Sequence, residues 1–590
     1  MACNIIHRKD RAMKNSSPLF RLGALIASAA TVFALAACGT ANSGTAKKVN
    51  TESASGTPVT YTGTLPMPST TGVYNNPQPR SNLKDNGTLT LSINEIGPDW
   101  NAFSVNGNTK YMNTLWSYYM PTLWLYNADG STVKPNKNYV TSYKVAKANG
   151  KQTITLNFNP KAKWNDGTAI DWTAVKAAWT VQNGKDKNYT PASTTGWEQV
   201  EDVKQGDNAK QAVITMKTPY YPATSFISIY PPQAVNAKTY TSGWTDNPHD
   251  KEWGAGPYVV KNKTTSQVTF TPNPKWWGNK PKMTTVTFKA LEDQAALNAF
   301  KNGEIAATGL STADDIKTVK SVKGATIRRG YDSSVSVFEF NAKKGVLKDI
   351  NVRKAIVQGI DRNQMTKIAF AGLDWNTPVP GSELLYPTQK GYEDNMPKEA
   401  AFNTANAKKT LEADGYKLGS DGYYAKNGKT LAVSYTTFGD GSKIKARGLA
   451  VQKMMKNIGI KLTIDNKGSS EFSNTITSGN YDIVGMGWSG ANPTDGFTSG
   501  YQLYGSDSDS NYAFVGSKAA DKLLKKVTTI ADSQKQIDTL NQGEKLALKC
   551  YGTLPYANPP VMGVYAKGLA NYGPSSWKTV LVEDIGWQKN

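Results

Sequence analysis

Histidine is almost missing from this chain: His7 and His249 are the two in 590 residues. That excludes multi-histidine metal centres and nucleophile–histidine triads. Cysteine is nearly as scarce, at Cys3, Cys38 and Cys550, too few for a disulfide-built scaffold. Arginine supplies nine of the 68 basic residues, although the net charge is +22. Bidentate contacts to phosphates and bases favour arginine. The lysines are scattered rather than run beside stacking aromatics, so a nucleic-acid partner is not expected. Lysine instead keeps the surface soluble and draws it weakly to an anionic envelope. No pair of carboxylates stands out at a spacing suited to glycoside hydrolysis. These absences together predict a protein that is not an enzyme and holds neither metal nor cofactor.

What is present begins with a leader. Arg8, Lys9, Arg11, Lys14 and Arg21 face one acid, Asp10, and an apolar, alanine-rich run follows from Leu22 to Ala37. The run is short for a membrane span, and the order of basic, apolar and small residues is that of a secretory signal. Translation from Met13 would leave the signal complete, so either Met1 or Met13 serves as a start. Leu35-Ala36-Ala37-Cys38-Gly39 resembles the bacterial lipobox, whose cysteine is acylated and becomes the new amino terminus. Residues 1–37 are therefore expected to be removed and Cys38 to anchor the chain, each buried methylene adding roughly 0.8 kcal/mol of membrane affinity. Cys550 is then left without a partner and reads as a small core residue at a helix end. Residues 38–82, rich in Ser, Thr, Gly, Asn and Pro, read as a flexible tether with a reach of roughly 35 Å. The predicted location is the extracellular face of the cell membrane. His249, in Asp246-Asn247-Pro248-His249-Asp250, reads as a loop residue.

Folded sequence begins near Thr88-Leu89-Thr90-Leu91-Ser92-Ile93, which alternates as a strand. Asn149-Gly150 and Asn427-Gly428 each separate two strand-like runs and signal hairpins. Asp171 is an expected N-cap for a helix over Trp172–Gln182. Asn351 is expected to begin a helix reaching Ile360. A further helix is expected over 443–458, with Ile444, Leu449, Val451, Met454 and Met455 on its apolar stripe. Strands and helices mix throughout, which predicts an α/β fold.

Five blocks then occur in order: Ala162-Lys163-Trp164-Asn165-Asp166-Gly167-Thr168; Gly254-Ala255-Gly256-Pro257-Tyr258; Asn273-Pro274-Lys275-Trp276-Trp277-Gly278-Asn279-Lys280-Pro281; Asn351-Val352-Arg353-Lys354-Ala355-Ile356 with Ile360-Asp361-Arg362; and Tyr481-Asp482-Ile483 with Gly487-Trp488. The second has neither the third glycine nor the Lys-Ser/Thr of a phosphate loop. Arg353 and Asp361 read as members of internal ion pairs. Taken in order, the blocks resemble family 5 of the extracellular solute-binding proteins that serve ABC importers of oligopeptides, dipeptides and nickel. The resemblance implies a two-lobed, periplasmic-binding-protein-like α/β fold with two hinge strands. It places lobe I at 83–330, with an extra subdomain at about 110–245, lobe II at 331–553, and a return to lobe I at 554–590. The crossings are expected near Arg328–Tyr331 and Thr553–Tyr556.

A cleft that excludes water needs flat apolar walls and a few placed polar groups. Three stretches suit it: Glu95, Asp99, Trp100 and Asn101 after the first strand; Phe338, Phe340 and Asn341 past the first hinge; and Trp488, Ser489, Gly490, Ala491, Asn492 and Asp495 in the last block. Peptide-binding relatives commonly carry an aspartate three residues after this tryptophan, which pairs with the ligand's α-ammonium; here the position is Ala491. Asp495, Asp99 or Glu339 could replace it. The expected function is capture of extracellular oligopeptides by a monomeric lipoprotein and delivery to an ABC permease. Binding of an oligosaccharide or another small solute, or a surface sensor or adhesin, are the alternatives; a wall hydrolase fits poorly.

Overall fold

The computed structural model describes residues 3–6, 53–148, 150–245, 251–490 and 492–589. Residues 7–37 of the leader, Cys38, residues 39–52, His249 and Ala491 lie outside the described residues.

The molecule is a two-lobed α/β assembly. In the first lobe Gly87–Ile93 runs parallel to Met283–Ala290, and Gln267–Pro272 and Tyr258–Lys263 complete that sheet. A second, antiparallel sheet orders Val140–Ala148, Lys151–Phe158, Gln211–Met216 and Val200–Gln205, and helix Trp172–Gln182 packs on it. Asp171 caps that helix through the Thr173 amide. In the second lobe the order is Lys461–Lys467, Ala432–Phe438, Ile483–Ser489, Ser334–Phe340 and Thr553–Ala557.

The two lobes are joined by an antiparallel ribbon. Thr326–Tyr331 pairs with Pro560–Tyr565 in a sheet of the first lobe, and Ser334–Phe340 pairs with Thr553–Ala557 in the sheet of the second. Asp332-Ser333 and Asn558-Pro559 make the passage between the two sheets, just past the strands where the crossings were expected. Asn558 ties them together by donating from Nδ2 to the Ser334 carbonyl at 2.8 Å.

The glycine-rich block is a packing device. The amides of Ala255 and Gly256 donate to the Tyr119 carbonyl at 3.1 and 2.8 Å, and the Gly254 amide donates to the Tyr119 hydroxyl. A Cβ on Gly256 would lie 2.6 Å from the Tyr118 carbonyl oxygen, a backbone atom with no freedom to move.

Five expectations need correction. Residues 53–82 do not hang free. Thr57–Pro58 pairs with Thr326–Ile327, and the consecutive buried arginines Arg328 and Arg329 donate to the carbonyls of Ser55 and Pro66. Leu449 is exposed, because Gly448 occupies the inward position of helix Ser442–Asn457 beside Ile464. Arg353 makes no ion pair among the described residues. Its guanidinium donates to the carbonyls of Cys550, Leu347 and Lys348, while Asp361 caps the next helix through the amides of Asn363 and Gln364. Asp349, two residues before Asn351, is the actual cap of helix Ile350–Gly359. Finally, Cys550 is bonded to Cys3 in the full chain, with Cα atoms 5.5 Å apart, because Asn4–Ile5 adds a short strand to Val515–Gly516. A chain that begins at Cys38 lacks that partner and leaves Cys550 buried beside Ala342, Ala513 and Val515.

Gly256→Ala should destabilise the protein by about 1–3 kcal/mol, through overpacking against fixed backbone. Urea unfolding measures this, and a midpoint equal to wild type would contradict the packing role.

Candidate functional site

A cleft of about 850 Å³ lies between the lobes. Helix Lys110–Tyr119, Phe226 and Trp577 line it from the first lobe; residues 333–336 and 485–490 with Glu383, Leu384, Tyr386 and Gln389 line it from the second. The lobes also touch directly. Glu95 accepts a hydrogen bond from Ser473 Oγ at 2.9 Å, Lys110 pairs with Asp332 at 2.9 Å, and Ser510 Oγ donates to the Ala192 carbonyl at 2.8 Å.

Trp488 lines the cleft, half-buried at the end of strand Ile483–Ser489. It stacks on Tyr512 with ring centres 5.5 Å apart and planes 4° from parallel. Its indole Nε1 donates to Glu339 at 3.1 Å. The pleat explains this contact: Val335 opposes Trp488, Val337 opposes Met486 and Glu339 opposes Val484, so all six share one sheet face. Ser489, Gly490, Asn492 and Asp495 also line the cleft. The Asp495 carboxylate is already engaged, accepting from the Asn492 amide at 3.0 Å.

The other predicted residues are placed differently. Glu95 is buried and reaches the cleft only through Ser473, which lines it. Asp99 accepts from the Asn101 amide and Ser104 Oγ, and Asn101 donates to the Tyr240 carbonyl; both are inside the first lobe. Trp100 sits in that lobe's core. Phe338 and Phe340 are core residues of the second lobe, Phe338 packing on Tyr435 and Tyr556. Asn341 donates to the carbonyls of Gly479 and Tyr481. Phe338 and Phe340 point away from the Val335–Glu339 face that carries Trp488, into the second lobe's core, and Asn341 lies just past the strand.

Three residues that line the cleft escaped the sequence reading. Tyr386 donates to the Ser333 carbonyl at 2.5 Å and accepts from the Gly490 amide at 3.2 Å. Arg447 donates to the Tyr556 hydroxyl at 2.8 Å and keeps a buried Nε without a partner. Glu383 is buried in the cleft wall. The sole sequence signal for Glu383 was an acid set in the otherwise uncharged Gly381-Ser382-Glu383-Leu384-Leu385-Tyr386.

Burial pushes several carboxyls upward: Glu383 to about 8, Glu95 to about 7 and Asp99 to about 6. Glu339 is raised well above its ordinary value by burial and then by Glu383, with the Trp488 N–H acting the other way. No group of three or more metal-ligating side chains occurs among the described residues.

The family described as bacterial extracellular solute-binding proteins, family 5 middle, matches residues 134–511. The oligopeptide-binding protein OppA of Mycobacterium tuberculosis is 31% identical over 550 residues, 91% of each chain. Among solved structures, the oligopeptide-binding protein AppA from Bacillus subtilis in complex with a nonapeptide superposes with a TM-score of 0.74, at 19% identity over 86% of this chain and 100% of that one. A periplasmic EDTA-binding protein, EppA, also superposes with a TM-score of 0.74, at 21% identity over 88% of this chain and 98% of that one.

The raised carboxyls hold protons that the unfolded chain releases near its ordinary values of 3.8 and 4.5. Unfolding therefore releases protons between about pH 4.5 and pH 8, and stability falls as pH rises through that window. The unliganded protein should melt at a higher temperature near pH 5.5 than near pH 8, as calorimetry would read; the opposite slope would contradict the burial of these acids.

Proposed function

Since the chain belongs to family 5 of the bacterial extracellular solute-binding proteins, which serve ABC importers, we propose that it captures oligopeptides outside the cell and presents them to a membrane permease. The observation that carries this reading is the cleft itself. It lies between two lobes joined by a narrow ribbon and has the size of a small-ligand site. Its walls suit a peptide. Trp488 and Tyr512 offer flat faces, and the hydroxyls of Ser336 and Ser489 offer polar partners. The named function of the mycobacterial relative, oligopeptide binding, supports the same assignment.

In this reading residues 1–37 are the signal, Cys38 carries the lipid anchor at the outer face of the membrane, and the chain runs 83–330, 331–553 and 554–590 through first lobe, second lobe and return. The packing of Ser55 and Thr57–Pro58 against the first lobe takes these residues out of the expected tether. Guest exchange requires the lobes to part about Asp332-Ser333 and Asn558-Pro559. That motion breaks the Glu95–Ser473 contact but leaves the strands of each sheet paired.

A peptide mixture should stabilise the purified protein, by about 2.7 kcal/mol for a component present at a hundredfold its Kd. No stabilisation by any peptide pool would sink the assignment. Trp488→Ala should weaken binding of the selected peptide at least tenfold, about 1.4 kcal/mol, in titration calorimetry with the fold retained by circular dichroism. Unchanged affinity would remove Trp488 from the site.

A further inference from the structure

We infer that Glu383, with Glu339 beside it, forms a subsite in the cleft wall for a positively charged group of the ligand, a primary ammonium or a guanidinium. The inference rests on the peptide-capture reading and names the chemistry that the cleft selects.

Three carboxyls are buried together here, and they are not alike. Glu544 is saturated: it accepts from Ser382 Oγ at 2.5 Å, Asn395 Nδ2 at 2.7 Å, the Glu383 amide at 2.8 Å and the Tyr504 hydroxyl at 3.0 Å. It fixes the loop. The amides of Leu384 and Leu385 donate to Ser382 Oγ at 3.1 and 3.0 Å, so the chain on both sides of Glu383 is pinned. Glu339 has one partner, the Trp488 indole. Glu383 is 4% exposed and lines the cleft, yet its Oε1 has no hydrogen-bond partner.

No lysine or arginine forms an ion pair with any of the three among the described residues. The groups that act on Glu383 are Glu339, Glu544 and the hydroxyls of Thr553, Tyr504 and Tyr386, none of them a cation. Arg447 is held on the other face of the sheet, by Tyr556, which packs on Phe338. Asp332, near Tyr386, is taken by Lys110.

A buried carboxylate without a counter-charge is costly. In the empty cleft burial keeps a proton on each of the two acids. A ligand ammonium or guanidinium supplies the counter-charge instead, so the carboxylic acid gives its proton to solvent and the new carboxylate accepts the ligand's N–H. The stacked Trp488 and Tyr512 rings add a π face to which a cation is attracted. The wall is thus selective. It gains from a cation, whereas an uncharged ligand leaves the acid protonated and gains nothing there.

The test uses three sets of short alanine peptides: with a free amino terminus, N-acetylated, and N-acetylated with one lysine. Titration calorimetry near neutral pH, in two buffers of different ionisation enthalpy, reads affinity and proton release together. Wild type should bind the free-terminus or the lysine set at least tenfold more tightly than the uncharged set, with release of up to about one proton. Whichever of the two charged sets wins identifies the group the site takes. Glu383→Gln should abolish the preference and the proton release, with the fold retained by circular dichroism. Retained preference in Glu383→Gln, or equal binding of charged and uncharged sets by wild type, would overturn the subsite and leave peptide capture standing. Failure of all three sets to bind wild type would overturn peptide capture, and the subsite with it.

Discussion

An antiparallel ribbon that spans two sheets is the constraint on which this architecture depends. The same two stretches of chain pair with each other on both sides of a short gap, Tyr331 opposite Pro560 in one lobe and Ser336 opposite Ala557 in the other. Their pairing keeps the lobes in register. The gap at Asp332-Ser333 and Asn558-Pro559 is where ladder hydrogen bonds lapse and bending costs least. Asn558 limits the loss by bridging to the Ser334 carbonyl, so the two passages move as one. Everything in the cleft is referred to this ribbon: Ser333, Ser334 and Ser336 are its own residues, and Trp488 is carried on the strand paired beside it.

Much of this was legible in the sequence because it is local. The Asp171 cap and the Asn427-Gly428 hairpin depend on neighbours within a few residues, and the ordered blocks mark turns and close approaches such as Gly256 against Tyr118. Trp488 was legible because it stands just past the apolar Ile483–Met486 run, where the strand meets the cleft. Trp100, Phe338 and Phe340 were assigned to the same wall, yet they lie in the cores. An aromatic residue near a strand end looks alike in sequence whether it faces a core or a cleft. Sheet order separates the two cases, and sheet order is set by pairings across more than a hundred residues.

The same lack of local signal explains the tether. Its composition is that of a solvated linker, and nothing near residues 53–82 announces a partner. The partners are Arg328 and Arg329, more than two hundred residues later. Their guanidinium groups also donate to the carbonyls of Leu569, Tyr572, Leu373 and Asp374. Arginine is rare in this chain, and four of the nine, counting Arg353 and Arg447, are spent this way on carbonyls or a tyrosine hydroxyl rather than on acids. Five donors in a planar fork let one side chain satisfy several main-chain oxygens where no strand can pair with them.

That use of arginine leaves the buried acids of the cleft wall without cations, and the asymmetry has a physical consequence. A protein that sought only stability would pair these carboxyls with a cation or replace them with apolar groups of similar volume, because an uncompensated buried acid works against folding. Here Glu544 is held by four donors while Glu383, one loop residue away from Ser382, is offered none for Oε1. The loop is therefore built rigidly around an acid it does not satisfy. Rigidity is what makes the unmet demand useful: a flexible carboxylate would turn to water, whereas a fixed one stays in the cleft wall. The site's selectivity and its cost to the empty protein thus have one source, a buried acid with no cation beside it.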